Sequence, residues 1–375
     1  MTHSAVIAGY ARTPFTLANK GAFIDVRPED LAAGAIRGVI EKTKVRPEDI
    51  EDIKLGCAFP EGEQGLNLAR LVVFVAQLPI SIGGVTMNRF CGSSMQAIHD
   101  AAGAIACGAG EVFIAAGVEA MSRVPMTGFN PSPHPELFAR YPEAYEGMGI
   151  TAENVAAMYK INRKDQEKFA LLSHQKAAKA QSEGKFKDEI VPVAGVDKDG
   201  CIRAETTLEK LGELKPAFLA KGSVTAGTSS PLTDGAAAVL VCSEAYADKH
   251  GLPKWARIKS FAVSGCKPEI MGIGPVGATK KALDRAGLSI SDIDIVELNE
   301  AFSAQSMAVI KDLGIDEAKL NIDGGAIALG HPLGATGARI TGKAASLLVR
   351  EKKQYALATQ CIGGGQGIAT VLERI

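Results

Sequence analysis

Alternation of strand-like and helix-like segments is what most limits the fold of this chain. Short apolar runs at residues 5–9, 53–56, 111–116, 258–263 and 295–298 alternate with stretches whose apolar residues recur at three- and four-residue spacing. Leu31, Ala35, Ile36 and Val39 make one such face after Pro28, and residues 67–76 and 279–286 make others. A chain written this way folds as a largely parallel sheet covered by helices, in the α/β class. Its 375 residues exceed one small core, so two or three domains are expected.

The alternation is interrupted once. Pro125, Pro131, Pro133, Pro135 and Pro142 fall in a segment rich in Gly, Asn, Ser and aromatic residues that runs to about Gly149. Long irregular stretches inside compact proteins are usually functional or mobile. Thr151 then starts an amphipathic helix (Ala152, Val155, Ala156, Tyr159), Lys164 starts another, and a polar stretch covers residues 184–215. From Val239 the alternation returns, so the interruption reads as a cap inserted between two sheet-forming halves. Residues 321–329 are expected to form a strand leading through GHPLGATGAR into a helix that ends near Arg350. ALATQCIGGGQGIATVLERI reads as two β runs joined by a glycine turn. A rough recurrence of one plan in both halves predicts an internal duplication.

Within this frame the stretch VTMNRFCGSSMQ, residues 85–96, is a strand end running into a helix. Met95, Ile98, Ala102 and Ile105 give the helix an apolar face, and the serine pair after Cys91 suits its start. A thiol at a helix N-terminus is expected to lose its proton more easily and to act as a nucleophile. Taken alone, Cys91 better fits a small buried hydrophobe. Three further polar clusters sit at strand ends: Asn299-Glu300-Ala301-Phe302, Gly330-His331-Pro332 and Cys361-Ile362-Gly363-Gly364-Gly365. Ligands of open α/β sheets gather outside the carboxyl ends of strands, so these turns and Cys91 are candidates for one site. Each has a plain structural reading as well: a turn or cap for Asn299, a backbone-bonded imidazole for His331, a packed thiol for Cys361 and a hairpin for the glycines. Together they would supply a soft nucleophile, a proton acceptor, a second thiol able to move a proton at carbon, and backbone N–H groups for an oxyanion.

Composition excludes other classes. A net charge of −1 offers no field for nucleic acid or an anionic membrane surface, and no apolar run reaches the length of a membrane span. Seven scattered cysteines without metal-type spacing argue for reduced thiols, against a disulfide frame and against a metal site. The opening MTHSAVIAGYARTP has neither a signal-peptide core nor an Arg-rich transit pattern, and TVLERI is not a peroxisomal tag, so a cytoplasmic location is the expectation.

Five motifs, NRFCGSSMQAIHDAA, VTAGTSSPLTDGAAAVL, NEAFSAQ, GGAIALGHPLGATGARI and CIGGGQGIATV, resemble the thiolase family in its order, across almost the whole chain. They are most similar to the degradative 3-ketoacyl-CoA thiolases. The resemblance implies two duplicated βαβαβαββ halves in an α-β-α-β-α layered body. Residues 1–120 and 233–254 would form the N-terminal half, 121–232 an inserted loop domain, and 255–375 the C-terminal half. It implies Cys91 as the acyl-accepting nucleophile and His331 as the base activating it, with Asn299 positioning a water at the thioester oxyanion. Cys361 would be the acid/base at the acetyl α-carbon, and the N–H groups of Cys91 and Gly363 the second oxyanion hole. Arg203, Phe218, Ala226 and Ser230 would bind CoA, with Met148 lining the pantetheine and acyl region.

No permanent cofactor is implied; coenzyme A and acetyl-CoA are substrates. Implied partners are a second copy or three (homodimer or homotetramer) and a hydratase/dehydrogenase subunit of fatty-acid β-oxidation. Biosynthetic acetoacetyl-CoA thiolases carry CASGM at the nucleophile and a histidine before the loop-domain methionine. Here those positions read CGSSM and Gly147-Met148, which favours a broader acyl range. The alternatives are an acetyl-CoA C-acetyltransferase acting on acetoacetyl-CoA, a ketoacyl synthase, which Cys361 in its glycine turn argues against, and a non-catalytic acyl-CoA binder.

Overall fold

A computed structural model describes residues 4–375, so the first three residues of the opening stretch lie outside it. The strands are β1 (Ala5–Arg12), β2 (Thr16–Leu17), β3 (Asp52–Gly56), β4 (Gly83–Met87), β5 (Val112–Ala120) and β6 (Thr233–Ser243), then β7 (Ala256–Gly265), β8 (Ile295–Leu298), β9 (Tyr355–Ile362) and β10 (Gln366–Glu373). They run β4-β3-β5-β6-β1-β7-β10-β9-β8, with β2 beside β6. The two ends of this path mirror one another. Leaving aside the two-residue β2, the first half places, from its outer edge inward, its third, second, fourth, fifth and first strands. The second half repeats that order with its third strand reduced to one parallel bridge between Leu320 and Val296. The halves join where β1 meets β7 antiparallel at Val6–Arg257 and Ile7–Ala256. The expected duplication is therefore present in the sheet order.

The missing strand corrects the reading of residues 321–329. Asn321 adopts φ +42°, and its side-chain amide occupies the ladder, accepting from Leu298 N (3.0 Å) and donating to Leu298 O (2.9 Å). The backbone turns away, and Ala326–Leu329 forms a single helical turn.

Three apolar cores separate five layers. Helices Pro28–Thr43 and Leu68–Val75 cover the outer face of the first half-sheet through Leu31, Ile36 and Val72 against Ile53, Ile114 and Leu240. Helices Ser93–Ala106 and Leu333–Arg350 fill the middle, where Ile98 and Ile340 meet Val239 from one half and Ile368 from the other. Helices Gly274–Ala286 and Ser303–Leu313 close the far side over Leu298, Leu357 and Val371. Each fully buried leucine or isoleucine contributes about 1.5–3 kcal/mol. Glycines bring the two middle helices into contact at their starts. A Cβ at Gly337 would lie 2.2 Å from Met95 N, and one at Gly117 would lie 2.1 Å from Gly334 O. Both helix N-termini are thereby held together at the carboxyl ends of β3 and β5.

Between β5 and β6 the chain leaves the sheet for helices Pro135–Arg140, Met148–Tyr159, Arg163–Ser182 and Leu208–Gly212. Buried ion pairs tie this segment to the body: Arg12 with Glu189 (2.9 Å) and Asp199 (2.7 Å), and Lys343 with Glu189 (2.9 Å). Losing one partner would leave a buried uncompensated charge, which makes these positions intolerant of substitution.

Candidate active site

β4 ends at Met87, and the chain turns sharply into the helix Ser93–Ala106 with Phe90 at φ +43°. The helix starts at Ser93, as the serine pair suggests, but neither serine is its cap. Gly92 holds the cap position, where a Cβ would lie 2.6 Å from Ile362 Cδ1. Ser93 Oγ instead accepts from Arg89 N (2.8 Å) and donates to Phe90 O (2.6 Å), closing the turn around Cys91. Ser94 Oγ accepts from Ala338 N (2.8 Å) on the other middle helix. The amide of Gln360 on β9 donates to the Cys91 carbonyl, so the nucleophile turn is held from both halves.

The expected low thiol pKa is not found. Burial pushes the Cys91 thiol up to about 12 and the Glu119 charge adds to it, while N–H groups of Gly363 and of Cys91 itself pull the other way. The helix start alone does not hold a thiolate here; a proton acceptor is required.

His331 is the candidate. It is buried, follows Gly330 (φ +102°) and lies 2.6 Å through Nδ1 from Thr336 Oγ1. The Thr336 hydroxyl donates to Pro332 O (3.1 Å), so Nδ1–H donates to Thr336 and Nε2 is the unprotonated nitrogen. Burial, with the Arg339 charge second, lowers the imidazole to about 3, so it is a neutral acceptor at ordinary pH. Nε2 accepts from Asn299 Nδ2 (3.4 Å), and Leu333, two residues on, packs against Cys91. Asn299 is fixed at the end of β8 through its N–H to Thr359 O (3.0 Å); its buried Oδ1 has no partner among the described residues.

Cys361 lies buried at the end of β9. Burial first, then the nearness of Cys91, hold its thiol well above the usual range. Gly364 and Gly365 make the hairpin at φ +76° and +80°. A Cβ on Gly363 would sit 3.3 Å from Met148 Sδ, and Met148 packs on the cluster formed by Cys361, Ala301 and Phe302. Phe218 meets Phe302 edge-on at 5.9 Å, and Ser230 N donates to Ala301 O (3.0 Å). Cys91, His331, Asn299, Cys361, Gly363 and Met148 thus converge, and Phe218 and Ser230 reach the same wall. Ala226 and Arg203 are exposed and lie outward; Ala226 opens a 3-10 turn, and the Arg203 N–H donates to His174 Nδ1 (3.2 Å). Sequence reading missed Thr336, Gln360 and Glu119. Thr336 was within reach, standing five residues after His331 at the start of a helix.

A half-buried thiol with two N–H groups bearing on it, a neutral imidazole and a second, protonated thiol are the equipment of an acyl-transfer site. The thiolase N-terminal domain matches residues 5–245, and the thiolase C-terminal domain matches residues 252–374. The chain belongs to the thiolase family. It is 50% identical over 388 residues to a 3-ketoacyl-CoA thiolase of Pseudoalteromonas translucida, covering 100% of this chain and 99% of that one. With a 3-ketoacyl-CoA thiolase of Bacillus subtilis it shares 47% identity over 98% of this chain and 99% of the other. The crystal structure of human mitochondrial 3-ketoacyl-CoA thiolase in complex with CoA superimposes with a TM-score of 0.92 at 38% identity, covering 100% of this chain and 98% of that one.

Proposed function

We propose that this chain is a 3-ketoacyl-CoA thiolase, cleaving 3-ketoacyl-CoA with free CoA to acetyl-CoA and a shortened acyl-CoA. The observation that carries the reading is the meeting of Cys91, under the Gly363 N–H, with Cys361 in a site that also holds a neutral His331. Full-length relatives near 50% identity bear that name.

His331 Nε2 takes the Cys91 proton, and the sulfur attacks the 3-keto carbon. The C2–C3 bond breaks, acetyl-CoA leaves as its enolate, and Cys361 gives it a proton at carbon. A neutral thiol held well above its usual pKa suits that donor. The CoA thiol then returns a proton to Cys361 and attacks the acyl group. Cys91 departs and recovers its proton from His331. Asn299, with Oδ1 free of protein partners, is suited to hold the water that meets the first oxyanion. The N–H groups of Cys91 and Gly363 serve the second, and one such donor contributes about 3–4 kcal/mol to the barrier.

Residues 121–232 are assigned as the loop domain that takes CoA through Arg203, Phe218, Ala226 and Ser230, with Met148 at the acyl group. Residues 1–120 with 233–254, and 255–375, are the two thiolase halves. Self-association is assigned to the open edge of β4, where Val85 is exposed beside Leu66, Phe74 and Ile80. No described helix is long and apolar enough to cross a membrane. A cytoplasmic place in fatty-acid β-oxidation, alongside a hydratase/dehydrogenase subunit, completes the reading.

Thiolysis measured across 3-ketoacyl chain lengths tests it: kcat/KM is expected to persist or rise beyond the four-carbon substrate. Activity confined to acetoacetyl-CoA would replace it with the acetyltransferase alternative. Thr336→Val, which removes the acceptor for His331 Nδ1–H, is expected to lower kcat about tenfold, in the range of a misaligned general base. Thr336→Ser should recover most of the loss in the same assay.

A further inference from the structure

One buried carboxylate beside the nucleophile has no role in the reaction above. Glu119, the penultimate residue of β5, is fully buried and has no cation within bonding distance among the described residues. It is held by donors from three separate segments. Its Oε2 accepts from Ala58 N (2.9 Å) and Gly334 N (2.8 Å). Its Oε1 accepts from Phe59 N (3.2 Å), Gln64 Nε2 (2.8 Å) and the Cys57 thiol (3.7 Å). Gly334 stands at the start of the 18-residue helix Leu333–Arg350, three residues after His331, so the charge sits on that helix's positive end. Ala58 and Phe59 pack against Cys91's neighbours: Ala58 belongs to the cluster that Cys91 and Leu333 share, and Phe59 lies 5.9 Å from Phe90.

We propose that Glu119 is a positioning residue that locks the start of the helix after His331 to the segment 57–64 packed beside Cys91, and that its charge, set in that segment, opposes a resting thiolate on Cys91. Around Cys91 the groups that bear on its proton are Glu119, which opposes the thiolate, the Gly363 and Cys91 N–H groups, which favour it, and Cys361, itself protonated. His331 is uncharged and adds no counter-field. Among the described residues, Glu119 is thus the one charge set against the thiolate. Burial raises the Glu119 carboxyl above its usual range and the donors on both oxygens pull it back; the backbone and amide N–H groups that meet those oxygens all donate, which is the pattern of a carboxylate. A resting thiol is spared from oxidation and stray acylation, since the thiolate is the reactive form.

The role rests on the thiolase reading of Cys91, but its test needs no substrate. Cys91 alkylation by iodoacetamide, followed by intact mass and peptide mapping as a function of pH, gives the ionisation midpoint. Native protein is expected to show a midpoint above the ordinary thiol value of 9.0. Glu119→Gln is expected to move the midpoint down by about one unit, raising alkylation near neutral pH about tenfold. The same variant should lose about tenfold in thiolysis kcat with KM for CoA nearly unchanged, as misplacement of His331 predicts. A variant that folds, by its melting curve, with an unmoved midpoint overturns the proposal. If Glu119→Gln does not fold, the native protein still decides: a midpoint at or below about 8 overturns it. A protein with the expected midpoints but no thiolysis would count against the enzyme reading and leave the electrostatic role standing.

Discussion

His331→Ala is expected to lower thiolysis near neutral pH by about ten-thousand-fold. The size follows from the thiol it serves. With burial holding Cys91 up to about 12, roughly one molecule in 10⁵ carries a thiolate at pH 7 without help. A general base in contact removes most of that deficit, and the usual worth of such a base reaches about 10⁴. The variant's residual rate should rise steeply with pH, because only free hydroxide competes for the proton. In the native enzyme His331 is neutral down to about 3, so kcat/KM should show no acid limb at the ordinary histidine value of 6.5. A limb there, lost in the His331 variant, would mean that this imidazole is charged at rest and cannot start the reaction.

Cys361→Ala should separate the two halves of the chemistry. Carbon–carbon cleavage of 3-ketoacyl-CoA is expected to fall by about a thousandfold or more, since the departing enolate loses its only thiol donor and water must replace it. Transfer of an acetyl group from acetyl-CoA to Cys91 involves no proton at carbon. It should continue at a measurable fraction of the native rate, read as isotope exchange between acetyl-CoA and labelled CoA. Equal loss of both activities would show that Cys361 supports the site as a whole instead of handling one proton.

Much of the fold was open to reading because helix and strand periods differ. Leu31, Ile36 and Val39 point one way only on a helix, and the glycine turn at 364–365 permits only a hairpin. The strand expected at 321–329 failed for a reason that periodicity does not carry: a side-chain amide, Asn321, took the hydrogen bonds a backbone would have made. The serines at 93 and 94 do mark a helix start, since the helix begins at Ser93. They look like caps by type, but the turn at Phe90 and the neighbouring helix claimed their hydroxyls.

The site divides along the same line. Cys91, Asn299, His331 and Cys361 stand at strand ends and could be picked out by residue type and place. The ionisation of Cys91 could not, because a helix start lowers a thiol's pKa while burial and a neighbouring carboxylate raise it. Burial decides it, and Glu119, placed 28 residues downstream on β5, adds to it. Gln360, which holds the Cys91 turn, acts by a contact across the two halves that no local pattern announces, whereas Thr336 holds His331 from only five residues away.

The central claim is that Cys91 carries the acyl group. Intact mass and peptide mapping after incubation with acetyl-CoA, on the native protein and on Cys91→Ala, test it directly. The native protein should gain one acetyl group, mapped to Cys91, that free CoA removes, and Cys91→Ala should gain none. An acetyl group on the alanine variant, or a native adduct mapping to Cys361, would contradict the account.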